Sequence, residues 1–199
     1  GLTHYRLRGG EHIPRRGPVR GVANHLHLAG PPLTGLVMGR QVTFLAKEEL
    51  FRHRVVAWLI GRLGAIAVHR GRLDRTALRQ AEQQLARGSV LIVFPEGMRS
   101  RNGRLGPAYD GAALIAYHSR APVLPVGISG TENIRGISWL WRRPGIVVNI
   151  GRPFHLPPVD GKLTKAQLAG LTGNIMGHIA GLLPPEYRGE YLPPGEKTA

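Results

Sequence analysis

Residues 90–100 read Val90-Leu91-Ile92-Val93-Phe94-Pro95-Glu96-Gly97-Met98-Arg99-Ser100: an apolar run, a proline bend, then an acid, a glycine and a cation. The segment Val90 to Phe94 is short, apolar and rich in β-branched residues, and Gly88 and Pro95 bound it, so it predicts a buried strand. Glu96, Arg99 and Ser100 then fall at its carboxyl end, the edge at which open α/β sheets hold ligands. A cation at that edge points to an anionic substrate.

Working outward, further strands are expected at Val19 to Ala23, Val42 to Ala46, Ala65 to Val68, Val123 to Ile128 and Ile146 to Ile150. Amphipathic stretches alternate with them. Glu49 to Arg62 places Leu50, Val55, Trp58 and Leu59, with Leu63 just beyond, near helical spacing, a helix expected to bury that face. Arg75 to Arg87 is framed by Asp74 as N-cap and Gly88 as stop, and Gly111 to Ser119 predicts a shorter helix. Thr164 caps a helix through about Leu183 whose Leu168, Leu171, Ile175, Ile179 and Leu182 form one stripe. Its glycines at 170, 173, 177 and 181 suggest close packing against another backbone. This alternation predicts a single α/β domain with a mostly parallel, mixed central sheet flanked by helices. Residues 1–183 form the domain, and 184–199, rich in Pro, Gly and charge, read as an extended, partly disordered tail.

The chain has 199 residues and a formal net charge of +15, and all but four of its 27 cations are arginine. The planar guanidinium suits phosphate better than an ammonium does, so an anionic partner is expected. Nucleic acid, anionic lipid, coenzyme phosphate and an acidic carrier protein all fit the charge. Only 6% of residues are aromatic, with no stacking run, which leaves a nucleic-acid-binding module supported by charge alone. There is no cysteine, which excludes disulfides and thiolate chemistry. No apolar run approaches the roughly 20 residues that span a bilayer, so this segment is expected not to cross one. Residues 134 to 143 mix Trp139 and Trp141 with Arg135, Arg142 and Arg143, a composition that fits either a membrane-water interface or a surface loop folded on the core.

Asn24-His25 follows the first of these strands and precedes Pro31-Pro32, which puts a histidine at the mouth of the sheet. Histidine is matched to taking a hydroxyl proton near neutrality. Read as metal ligands, His25 and His27 lack a third partner nearby. Gly127-Ile128-Ser129-Gly130 lacks the full elbow of a serine hydrolase, and phosphate-loop signatures are absent.

The order of Asn24-His25, the Val68-to-Gly71 V-x-R-G turn, Phe94 to Ser100, and Ala121-Pro122-Val123-Leu124-Pro125-Val126 resembles the glycerophospholipid acyltransferase family. The likeness runs from about Tyr5 to Tyr191 and is greatest to the 1-acyl-glycerol-3-phosphate acyltransferases. It implies a glycerol-3-phosphate acyltransferase-like fold. It further implies a histidine base, here His25, that deprotonates a glycerol hydroxyl for attack on an acyl thioester. By the same resemblance Lys47, Arg70, Gly71, Phe94, Pro95, Glu96, Gly97, Arg99 and Ser100 bind substrate. Lys47, Arg70 and Arg99 hold the phosphate, Glu96 places the glycerol, and Ser100 with amides near Gly97 helps the oxyanion. Met98 replaces the usual threonine.

The family's dyad aspartate, five residues after the histidine, is Gly30 in this chain. Removing the orienting carboxylate from the best-studied hydrolytic triad costs roughly 10⁴ in rate, about 5 kcal/mol. Weakened turnover is the expectation, with two alternatives: glycine simply relaxes the turn into Pro31, or the chain is a degraded relative that binds lysolipid or acyl donor without rapid turnover. Glu96 is the nearest acid in the expected fold that could substitute. The resemblance also implies no cofactor beyond acyl-CoA or acyl carrier protein as co-substrate. Implied partners are a lysophospholipid, an anionic membrane surface and acyl carrier protein, with no nucleic acid; the implied location is peripheral, on the cytoplasmic face of a membrane.

Overall fold

The structure, a computed structural model, describes residues 4–62, 64–68, 75–120, 122–134, 145–159 and 161–196. Seven strands form one sheet: β1 (His4–Arg8), β2 (Val19–Ala23), β3 (Val42–Lys47), β4 (Ala65–Val68), β5 (Val90–Val93), β6 (Val123–Ser129) and β7 (Gly145–Ile150), in the order β1-β7-β6-β2-β5-β3-β4. From β6 to β4 every neighbouring pair is parallel; β7 runs antiparallel to β6, and β1 lies parallel to β7 at the edge. The helices are α1 (Gly30–Met38), α2 (Arg54–Arg62), α3 (Arg75–Ala86), α4 (Gly111–Ser119) and α5 (Lys165–Ala180). This is the expected single α/β domain with a mixed, mostly parallel sheet.

Both faces of β5 are covered, which is why its sequence shows no polar alternation. Val90, Ile92 and Phe94 join a core on one face with Val19, Ala23 and Phe44 and with Met38 from α1. Leu91 and Val93 point to the other face, against Ala77, Ala81 and Leu85 of α3. Val22 and Val123 share that second face further along, under Ile175, Met176 and Ile179 of α5. Arg20 lies on this face too, only 1% exposed, and donates to the carbonyls of Ala116 and Ile115 (3.4 Å) at the end of α4.

Several expectations need correction. Gly30 does not relax a turn into Pro31: it opens α1, and the prolines occupy the helix's first turn, where a missing N–H costs nothing and φ is already helical. Glu49 to Arg62 is a 3-10 turn at Glu48–Arg52, an extended His53 and then α2, not one helix, and the expected buried stripe fails where Leu50, Val55 and Trp58 are exposed. His4–Arg8, read as no element, forms edge strand β1. The tail is not loose either. Tyr187 and Tyr191 pack on the α5 side of the core, Tyr187 OH donates to Glu132 at 2.6 Å, and Arg188 pairs with Glu196 at 3.5 Å. Of the four α5-region glycines, Gly177 does meet a backbone, since a Cβ there would lie 2.9 Å from the Leu192 carbonyl. Gly181 faces Pro193, whereas Gly170 and Gly173 have open space. Thr164 caps α5 as expected, in a reciprocal box with Gln167. Asp74, Trp139 and Trp141 lie outside the described residues.

Candidate active site

Sheet register brings the two motifs together. Val22 on β2 lies opposite Val93 on β5, and His25 and Glu96 each follow at the same offset, leaving the sheet side by side at its carboxyl edge. The His25 N–H donates to Glu96 Oε1 at 2.8 Å, and the Gly106 N–H donates to Oε2 at 3.0 Å. In return the Ser100 N–H donates to the His25 carbonyl at 2.7 Å. Glu96 is 3% exposed; burial pushes its carboxyl above the usual range while the Gly106 and His25 amides pull it back. Both oxygens thus serve the backbone of the loops, and the side chain does not open to solvent.

Asn24 anchors the same loop from the other side. Its amide donates to the Ile128 carbonyl and accepts the Ile128 N–H, each at 2.7 Å, so a side chain extends the β2–β6 ladder one step beyond the strand. The His25 ring packs on Phe94 at 4.7 Å between centroids, tilted 33°. These contacts fix the imidazole by three routes: the strand end, the Glu96 brace and the aromatic ring.

Gly30 is buried and opens α1 directly beneath that ring. A Cβ added there would lie 3.7 Å from His25 Nδ1 and 3.7 Å from the Phe94 ring, both ordinary van der Waals distances. Its φ is not in the left-handed region, so no strain bars a side chain. A Cβ at residue 30 is therefore accommodated beside His25 Nδ1. Nδ1 is the ring nitrogen turned toward residue 30.

Gly97 adopts φ 63 and returns its N–H to the Phe94 carbonyl at 2.9 Å, a tight turn that only glycine makes without strain. The turn leaves Met98 and Arg99 exposed at the mouth. The Ser100 hydroxyl donates to the Arg104 carbonyl at 2.7 Å, with Asn102 Oδ1 3.1 Å away, so it closes its own loop. His27 accepts the Ala29 N–H at 3.2 Å, and burial and then Arg99 pull its pKa down. Lys47 ends β3 on this edge with its ammonium 3.0 Å from Glu49, whose carboxyl is lowered by its own backbone N–H and then by Lys47. Arg70 and Gly71, expected in the site, lie outside the described residues; β4 ends at Val68 on the same edge.

Sequence reasoning missed Asn24 and Gly106 as parts of the site. A buried amide one residue before the histidine was a usable signal for Asn24. Nothing in a sequence marks Gly106, which contributes only a backbone N–H.

The comparisons agree with this fold. A chloroplastic 1-acyl-sn-glycerol-3-phosphate acyltransferase of Brassica napus is 31% identical over 131 residues, 64% of this chain and 38% of that protein. A lyso-ornithine lipid O-acyltransferase of Pseudomonas aeruginosa is 29% identical over 145 residues, 71% of this chain and 50% of that protein. The chain therefore spans half or less of the length of these two relatives. The crystal structure of the 1-acyl-sn-glycerophosphate (LPA) acyltransferase PlsC from Thermotoga maritima superposes with a TM-score of 0.64 at 27% identity, covering 91% of this chain and 73% of that one. Residues 4–129 match the family described as Acyltransferase, and they hold β1 through β6 and every candidate residue named above: this chain belongs to that family.

Proposed function

We propose that the domain transfers a fatty acyl group from acyl-CoA or acyl carrier protein to the free hydroxyl of 1-acyl-glycerol 3-phosphate, giving phosphatidic acid, and that Gly30 makes it slow. The observation that carries this reading is His25 held by Glu96 at the carboxyl edge of the sheet, with its Nδ1 facing position 30. His25 Nε2 takes the hydroxyl proton as the oxygen attacks the thioester carbonyl. The tetrahedral intermediate then expels the thiolate, which recovers the proton from the imidazolium. Arg99, Arg70 and Lys47 hold the phosphate, with Lys47 exchanging Glu49 for it. Glu96 acts as a positioning residue rather than a glycerol contact, because both its oxygens accept backbone N–H groups. Ser100 shapes its loop, since its hydroxyl is already donated. Phe94, Pro95 and Gly97 belong to the walls and turns of the site, and Gly71 is assigned to substrate binding by the family resemblance alone. The scheme uses no cofactor beyond the thioester donor.

A catalytically degraded, lipid-binding relative is the second reading, and Gly30 is the feature that favours it. Gly30→Asp separates the two. The new side chain starts with a Cβ in ordinary contact with His25 Nδ1 and the Phe94 ring, and its carboxylate stands in the first turn of α1, which has no acid of its own, so the helix dipole favours it as well. Lysophosphatidate-dependent release of free coenzyme A is expected to rise by roughly 10²-fold or more in Gly30→Asp. Gly30→Asn controls for shape without charge and is expected to gain little. No gain in Gly30→Asp, with lysophosphatidate still bound, supports the binding-only reading. Running the assay with a zwitterionic lysolipid beside lysophosphatidate fixes the acceptor.

A further inference from the structure

We propose that the outward face of α2 is the surface by which the domain docks on an anionic bilayer; this rests on the reading above, in which the acceptor is a membrane lipid. Val55 is 80% exposed and Trp58 62%, a degree of exposure that large apolar residues on a monomeric soluble surface hold singly rather than in a row. They lie three apart on one helical face, and Arg62, one further turn along, stacks its guanidinium 5.0 Å from the centre of the Trp58 ring. Arg52 and Arg54 flank the other end, and both are exposed.

Local charge selects the occupant. Between Glu49 and Asp74 the sequence carries five arginines, at 52, 54, 62, 70 and 72, and no carboxylate. An indole and an aliphatic side chain flanked by the guanidinium groups of Arg52, Arg54 and Arg62 fit the headgroup level of an anionic bilayer, where the ring enters the acyl boundary and the cations meet phosphates. An acidic protein would meet the charge and leave Val55 and Trp58 without an apolar counterpart.

The position of α2 supports the same occupant. It follows β3 and the 3-10 turn at Glu48–Arg52, so it leaves the sheet at the carboxyl edge that carries His25 and Glu96. The two site loops themselves expose apolar side chains, Leu28 at 63% and Met98 at 49%, and Met98 stands where the resemblance has threonine. A bilayer reached through α2 brings an acceptor lipid to a mouth that is already apolar at its rim. Among the described residues no helix is long and apolar enough to cross a membrane, so this contact is one of surface docking.

The test reads binding and not turnover, so its failure is separate from failure of the acyl-transfer reading, which coenzyme A release with a water-soluble short-chain acceptor measures. A chain with Trp139→Phe and Trp141→Phe keeps Trp58 as its one indole. On vesicles of equal parts phosphatidylcholine and phosphatidylglycerol, its emission is expected to shift to the blue and to be quenched by phosphatidylcholine brominated on the acyl chain. Val55→Ser with Trp58→Ser is expected to weaken sedimentation with these vesicles about tenfold or more. Arg52→Gln with Arg54→Gln is expected to remove most of the salt sensitivity of binding. Vesicle binding with unchanged Trp58 emission, or a Trp58 shift produced by an acidic carrier protein and not by vesicles, overturns the proposal.

Discussion

Arg20 and Glu96 are both almost fully buried ionisable groups on the central strand pair, one near the entry of β2 and one just past the exit of β5, yet their surroundings differ. Glu96 has both oxygens answered by backbone N–H groups from two separate loops. Arg20 donates one nitrogen to the last carbonyls of α4, while its Nε and other terminal nitrogen have no hydrogen-bond partner among the described residues. Burial alone pulls the guanidinium down to about 10, which leaves it charged at neutral pH. A favourable helix-end contact therefore offsets an incomplete set of partners at Arg20. At Glu96 the set is complete, and it holds the residue expected to do chemistry. A buried charge can be a helix plug or a joint between loops, and the partner list, not the burial, tells which.

Removing the joint gives the largest expected effect. Glu96→Ala leaves two buried N–H groups unanswered, at about 1–3 kcal/mol each, and frees the His25 loop, so the melting transition falls and acyl transfer in a Gly30→Asp background drops below about 1%. Arg20→Met keeps length and apolar bulk, and is expected to change stability by less than about 2 kcal/mol in denaturant titration with activity per folded molecule within about twofold. If Arg20→Met abolished activity, the contrast between plug and joint would collapse. The smallest effect concerns pH. Because the folded Glu96 carboxyl lies above its unfolded value, its contribution is fully present below the ordinary glutamate range and is lost as pH rises through the raised value. Glu96→Gln cannot ionise, so denaturant titrations from acid to neutral pH are expected to lose that downward component; an identical pH profile for both proteins would contradict it.

The central strands were legible because parallel strands covered on both faces are apolar throughout, as Val90 to Val93 shows. Edge strand β1 was not, because His4, Arg6 and Arg8 alternate with Tyr5 and Leu7 that remain 38% and 41% exposed. Proline misled at Pro31-Pro32, since the same residue starts helices and breaks them. In the candidate site the residue types expected to do chemistry, His25 and Arg99 among them, were legible, and so was Gly30 as the position where the resemblance has a carboxylate. The brace was half visible. Glu96 stood out as an acid, but its partners are main-chain N–H groups at His25 and Gly106, which any residue but proline supplies. The tail was misread because Tyr187 and Tyr191 are lone apolar residues amid proline, glycine and charge, and only the fold shows the surface they cover.

That returning segment ties the end of the chain to its centre. Tyr187 accepts the Leu105 N–H at 2.8 Å, and the next residue, Gly106, is the one that holds Glu96 against the His25 loop. A ribosome emits the histidine, the glutamate and the glycine long before it emits the tyrosine. All seven strands are thus made before the residue that fastens the loop beside Gly106, so the sheet's sequence is complete before this brace can form.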